Sequence, residues 1–187
     1  MDDVTVKVID NVQSPICALI GNKGSGKTLY LTYVGFTAHQ EGRKVYSNYD
    51  LYNIPYEKVN EKVLTNLPEE LNNGVILLDE AHMIADAYEH LSKNSRAMTT
   101  LSTQLRKRNL DLWITTQRFN FLPRRIRQLT DFIITLQNVY DFGELIKGHS
   151  KVKIYMADDK NKPVLTYNID LTDFFDMYDT NQVITKG

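Results

Sequence analysis

Eight consecutive residues, Gly21-Asn22-Lys23-Gly24-Ser25-Gly26-Lys27-Thr28, satisfy the pattern G-x-x-x-x-G-K-[ST] without a mismatch. The chemistry open to such a stretch is the binding of a phosphate chain. Glycines let a loop wrap with its backbone N–H groups turned inward, and a helix that starts directly after the loop adds the positive end of its dipole. In that arrangement Lys27 reaches the β- and γ-phosphates of ATP and the Thr28 hydroxyl ligates Mg2+. Lys23 and Ser25 occupy variable loop positions, and no specific role is assigned to them.

Val75-Ile76-Leu77-Leu78-Asp79-Glu80 supplies the complementary half. A buried parallel strand reads as a continuous apolar run, and ligands sit at its carboxyl end. Two acids there cost desolvation energy unless they face a cation. Asp79 is expected to hold Mg2+, mostly through water, and Glu80 to orient or deprotonate the water that attacks the γ-phosphate. The competing reading is an Asp-Glu pair capping the next helix. His82, which completes "DEAH", is read as a surface or supporting residue. A third element, "DLWITTQ", places Gln117 at the end of an apolar run. An amide can donate to a phosphate oxygen and accept from water, so Gln117 is a candidate sensor of the γ-phosphate. A polar strand end in solvent is the alternative.

These residues need a sheet to hold them. "ICALI" (Ile16–Ile20) reads as a buried strand ending at Gly21, and "KTLYLTYVGFTAHQ" as the helix that follows the loop. "KVYSNYDL" (Lys44–Leu51) reads as a second strand, and "YEKVNEKVLTNLPEELNN" as one or two short helices. "SRAMTTLSTQLRKRN" (Ser95–Asn109) is predicted helical, "DLWITTQ" a strand, "PRRIRQLT" a short helix and "DFIITLQNV" a strand. "KVKIYMADDKNKPVLTYNID" reads as a β-hairpin turning at "DDKNKP", and "LTDFFDMYD" as a terminal short helix or turn. The alternation predicts an α/β domain with a mostly parallel central sheet flanked by helices, plus a C-terminal β-hairpin. A single domain over 1–187 is expected, its core at about 12–138 and its hairpin extension at about 150–187.

The chain has 187 residues, 42% hydrophobic and 24% charged, which suits one packed domain and excludes disordered and low-complexity classes. The single cysteine, Cys17, precludes an internal disulfide and reads as a small buried hydrophobe in a reducing compartment. The acidic start "MDDVTVKVIDN" is not a signal peptide. No window holds the roughly 20 apolar residues that span a bilayer, so a soluble protein is expected. Net charge is −1, but its distribution is uneven. Residues 96–127 hold eight bases (Arg96, Arg106, Lys107, Arg108, Arg118, Arg124, Arg125 and Arg127) and one acid, Asp111. Such a concentration suits an anionic partner, although a solvated basic face is the plain alternative.

Taken together, Gly21–Thr28, "VILLDE", and Arg106 followed by Asp111, Gln117 and Arg118 resemble the FtsK–HerA superfamily of ATP-driven DNA pumps. A closer likeness is to the zonula occludens toxin-like and filamentous-phage assembly ATPases. It rests on the loop extended to Leu29, on Asn48-Tyr49-Asp50-Leu51, and on Tyr178-Asp179-Thr180 with Gln182. Asn109 stands where that branch often has glycine. The resemblance implies a P-loop NTPase fold of the RecA/FtsK type, ATP and Mg2+ as cofactors, and nucleotide contacts along Gly21, Asn22, Lys23, Gly24, Ser25, Gly26, Lys27, Thr28 and Leu29. It implies Thr28 and Asp79 as the Mg2+ residues, with Lys27, Glu80 and Gln117 in catalysis. It also implies a ring, usually a hexamer, in which one subunit's arginine completes the neighbour's site. Arg106 is the first candidate, Arg108 the second and Arg96 the third. Arg124, Arg125 and Arg127 are candidates for DNA phosphates or a neighbouring subunit. Double-stranded DNA is the implied substrate, in genome packaging or virion assembly, with capsid or membrane proteins as partners and a host cytoplasm as the setting. Assembly ATPases of the branch act on protein subunits and continue past "YDT" into a membrane span, whereas this sequence ends at Gly187. A soluble packaging motor is therefore expected alongside the membrane-coupled reading. A nucleotide kinase or GTPase-like switch is the third reading; no N-K-x-D base motif or arginine-rich lid is evident.

Overall fold

The computed structural model describes residues 9, 11–60, 63, 67–80 and 95–179, with 95–99 described by their helical backbone alone. His82, Thr180 and Gln182 lie outside the described residues, and Arg96 is placed on its helix without its side chain. The described strands are β1 (Ile16–Ile20), β2 (Lys44–Ser47), β3 (Glu57–Lys58), β4 (Gly74–Leu78), β5 (Leu110–Thr116), β6 (Phe132–Asp141), β7 (Glu144–Met156) and β8 (Leu165–Asp170). The helices are α1 (Lys27–Gln40), α2 (Ser95–Lys107) and α3 (Arg124–Leu129), with 3-10 turns at Phe119–Phe121 and Thr172–Met177.

One eight-stranded sheet runs in the order β3-β2-β4-β5-β1-β6-β7-β8. Pairing is parallel from β3 to β6 and antiparallel beyond. β1 and β4 are apolar on both faces because both faces are covered. Alternation divides the strand residues between two cores. Cys17, Leu19, Val75, Leu77 and Trp113 join the core under α1, while Ile16, Ala18, Ile76, Leu78, Leu112 and Ile114 join the core under α2 and α3. Helix α1 lies so close to the sheet that a Cβ on Gly35 would sit 2.8 Å from Leu77 Cδ1. Its outer side is covered as well. Phe174 packs edge-on against Tyr33 and Phe36 at 5.4 and 5.3 Å between ring centres, and the Tyr30 and Tyr167 hydroxyls are 2.7 Å apart.

Several elements differ from the sequence reading. The second strand stops at Ser47, four residues early, because Ser47 Oγ both donates to Tyr49 O and accepts from Tyr49 N. That local turn diverts the chain from the sheet, and Leu51 next pairs outside it, in an isolated antiparallel bridge to Tyr178. Glu57–Lys58, expected to be helical, forms a two-residue edge strand on β2. β7 starts at Glu144, well before the expected hairpin, and pairs with β6 around the turn Asp141-Phe142-Gly143-Glu144. Phe142 and Gly143 both have positive φ (47° and 88°), as a tight hairpin turn of this hand requires. The antiparallel strands, which include the expected β7–β8 hairpin, continue the central sheet.

Candidate functional site

The phosphate-loop candidate begins where β1 ends and closes where α1 starts. Gly26 takes φ 84°, which glycine adopts without strain, and its carbonyl accepts the first helical hydrogen bond from Tyr30 N at 2.8 Å. Lys27 Nζ donates to the carbonyls of Gly21 and Asn22, each at 3.0 Å. Burial lowers its pKa from the ordinary lysine value, and Asp79 and Glu80 nearby partly offset that. Ser25 Oγ is buried with no hydrogen-bond partner. It is an unsatisfied donor inside the loop, in keeping with a loop shaped for an anion.

Asp79 is 6% exposed, and a carboxylate so placed needs partners. It has them on every side. Thr28 Oγ1 donates to Oδ2 at 2.8 Å, and Thr115 Oγ1 donates to Oδ1. Asn48 holds the backbone at both ends, accepting from Asp79 N at 2.8 Å and donating to Asp79 O at 3.1 Å. Glu80 follows with φ 50°, an uncommon conformation for a residue with a side chain, and its N–H donates to Thr115 Oγ1 at 2.9 Å. Its carboxylate is exposed to the cleft. Thr28 and Asp79 thus offer a hydroxyl and a carboxylate side by side, the hard oxygen ligands that suit Mg2+ with phosphate and water completing the shell. Among the described residues no cluster of three His, Cys, Asp or Glu forms an independent metal cage.

β5 lies between β1 and β4, with Thr116 opposite Ile20 and Ile114 opposite Leu78. Trp113, Thr115 and Gln117 alternate onto one side of the chain. Trp113 packs in the α1 core, Thr115 reaches Asp79, and Gln117 emerges exposed in the cleft with Lys27, Thr28 and Glu80. That cleft has a volume of about 420 Å³ and is closed on its far side by β7 residues Leu145–Ser150 and by Phe175 and Tyr178. The Tyr178 hydroxyl is pushed up in pKa by burial and by the Asp79 charge.

The structure brings Lys27, Thr28, Asp79, Glu80 and Gln117 together. It does not bring Arg106 or Arg108 there. α2 runs back from the carboxyl edge of the sheet and ends just before β5 begins, so exposed Arg106 stands at the edge opposite the phosphate loop. Arg108 Nη1 instead donates to the carbonyls of Leu67 and Pro68. Asp111, the lone acid of the basic segment, pairs with Arg43. Arg118 lies 5.8 Å over the Phe121 ring. Sequence reasoning missed Thr115 and the β7 wall. Thr115 was legible from the two-residue period that puts it on the same side as Gln117. The wall required the β6–β7 turn.

The sequence profile of the family described as zonular occludens toxin (Zot) matches residues 56–181. The chain belongs to the Zot family. The ORF2 protein of Spiroplasma virus SpV1-C74 is 34% identical over 135 residues, covering 65% of this chain and 38% of that protein. The chain therefore spans well under half of that curated relative. Among solved structures, the N-terminal domain of zonular occludens toxin from Neisseria meningitidis superposes with TM-score 0.62 at 19% identity, covering 90% of this chain and all of that one. The genome packaging NTPase B204 of Sulfolobus turreted icosahedral virus 2, in complex with ATP-gammaS, superposes with TM-score 0.52 at 18% identity over 82% of this chain and all of that one. These likenesses establish the P-loop NTPase fold. The contacts within this chain account for two motifs of the Zot-like resemblance. Asn48 clamps Asp79, and Leu51 bridges to Tyr178, so segments 130 residues apart in "NYDL" and "YDT" meet beside the nucleotide cleft. No helix among the described residues is long and apolar enough to cross a membrane.

Proposed function

We propose that this Zot-family chain is an ATP-hydrolysing motor that translocates double-stranded DNA during viral genome packaging or virion assembly. The observation that carries the reading is the shared cleft of Lys27, Thr28, Asp79, Glu80 and Gln117 at the carboxyl ends of β1, β4 and β5. Lys27 would leave the Gly21 and Asn22 carbonyls for the β- and γ-phosphates, releasing a partly buried ammonium to a stronger partner. Mg2+ held by Thr28 and Asp79 would supply charge neutralisation for the phosphates. Glu80, exposed and next to Asp79, would take the proton of the attacking water. Gln117 would contact the γ-phosphate from the neighbouring strand and pass its presence to β5.

Arg106, distant from its own cleft, fits a contribution in trans within a ring; Arg108, held by the Leu67 and Pro68 carbonyls, fits a structural role. Arg118, Arg124, Arg125 and Arg127 remain the basic surface for DNA phosphates or an adjacent subunit. The alternative, implied by the resemblance to the filamentous-phage assembly ATPases, is an ATPase acting on protein subunits at a membrane. Phosphate release measured with and without double-stranded DNA tests the proposal. Stimulation by DNA is expected, falling with added salt. Hydrolysis that DNA leaves unchanged would favour the protein-directed alternative, and no hydrolysis at any protein concentration would sink both.

A further inference from the structure

Opposite the Asp79 side, the cleft has a wall that no motif marks. Ser150 and Gly148 lie two residues apart on β7, where Gly148 takes φ 81° and the β6–β7 register shifts, and both line the cleft. A Cβ on Gly26 would lie 3.4 Å from Ser150 Oγ, so Ser150 abuts the phosphate loop. A Cβ on Gly148 would lie 2.6 Å from Thr172 Cγ2, 3.1 Å from Phe175 Cε2 and 3.2 Å from Phe175 Cζ, so the Thr172 methyl and the Phe175 ring both pack on the glycine backbone. The ring thus lines the same cleft as phosphate-loop residues Gly24, Gly26 and Lys27. The adjacent phenylalanines have separate tasks. Phe174 is tucked against Tyr33 and Phe36 and fixes the 3-10 turn to α1, while Phe175 is left 38% exposed. A large apolar ring rigidly seated, open on one side and beside a phosphate site needs a flat apolar occupant to remove that side from water.

We propose that Phe175 is the shelf on which the base of the bound nucleotide stacks. This rests on the nucleotide-binding reading above and adds the residue that holds the base. Stacking on an aromatic side chain adds affinity for base-bearing ligands and none for a bare phosphate chain.

Two ligands separate the shelf from the phosphate loop. Isothermal titration of the full chain with Mg-ATP and with Mg-tripolyphosphate is compared for the native protein, Phe175→Ala and Phe175→Trp. Phe175→Ala should bind ATP about tenfold more weakly with tripolyphosphate affinity unchanged, and Phe175→Trp should stay near the native affinity for both. Equal loss of both ligands in Phe175→Ala, or no loss of ATP, would overturn the shelf; the ratio between ligands is insensitive to any fraction of unfolded protein. Native protein that binds tripolyphosphate as tightly as ATP would also overturn it while leaving the phosphate site intact. Native protein that binds neither ligand would remove the nucleotide reading itself, and the shelf with it.

Discussion

Thr115 performs two tasks with one hydroxyl: it donates to Asp79 Oδ1 and accepts from Glu80 N–H. It is fully buried, so neither partner has water to fall back on. Thr115→Val keeps the shape and removes both bonds. It should cost about 1–3 kcal/mol of stability, the usual penalty for leaving a buried polar group unpaired, read as a lower midpoint in thermal or urea unfolding. Turnover should fall too, because the two acids lose their common brace. Thr115→Ser retains the hydroxyl and should recover most of both; a Ser variant as impaired as Val would show that the methyl's packing matters instead. Glu80 is the complementary case, its carboxylate exposed in the cleft. Glu80→Gln should leave ATP affinity near native and reduce phosphate release by about 10²–10⁴-fold, the range for losing a general base. Normal turnover in Glu80→Gln would remove that role from Glu80.

The segment Thr172–Met177 is short, yet it closes one wall of the cleft, and its hold on the body of the protein is concentrated in few contacts. Phe174 meets two rings of α1, Tyr52 N donates to Met177 O at 2.7 Å, and Tyr178 bridges to Leu51. Phe174→Ala should therefore release this element selectively. Stability should drop by about 1–3 kcal/mol, less than the full cost of truncating a buried Phe because the ring is only partly buried. Amide exchange should accelerate over 172–177 while β4 and β5 keep their protection; uniform acceleration would mean the segment is not a separable unit. Most of the parallel core was legible in the sequence because each strand is a short apolar run bounded by Gly or by acids, and because α1 follows its loop without a break. The loop, Asp79, Glu80 and Gln117 were legible as types at fixed spacing. What was not legible depends on partners distant in sequence. Ser47 ends its strand through a local hydroxyl turn that outcompetes the ladder. Glu57–Lys58 becomes a strand only because β2 offers an open edge. Asn48 looked like a motif residue, but its work, clamping Asp79 from both sides, appears only when β2 and β4 are adjacent.

Cys17 gives the molecule as a whole a built-in probe. It sits in β1, paired on one side with β5 and on the other with β6, and it is fully buried. Burial pushes its thiol pKa well above the ordinary value, and the nearby Asp111 and Asp131 charges add to that. The thiolate that attacks alkylating reagents is thus suppressed in the native state, and labelling requires the centre of the sheet to open. β1 leads directly into the phosphate loop, so opening the strand must dismantle the site. A nucleotide that binds only the folded state then stabilises it by RT ln(1 + [L]/Kd), about 2.7 kcal/mol at a hundredfold excess over Kd. Labelling of Cys17 should slow about a hundredfold under those conditions when opening and closing outpace the reagent. Lys27→Ala should abolish the protection without altering labelling in the absence of nucleotide by a comparable factor, since the Lys27 amine is held by the Gly21 and Asn22 carbonyls at the edge of the cleft and not within the sheet. Labelling of the native chain that saturating nucleotide leaves unchanged would show that β1 opens independently of the site, and that sheet and cleft are not one cooperative unit.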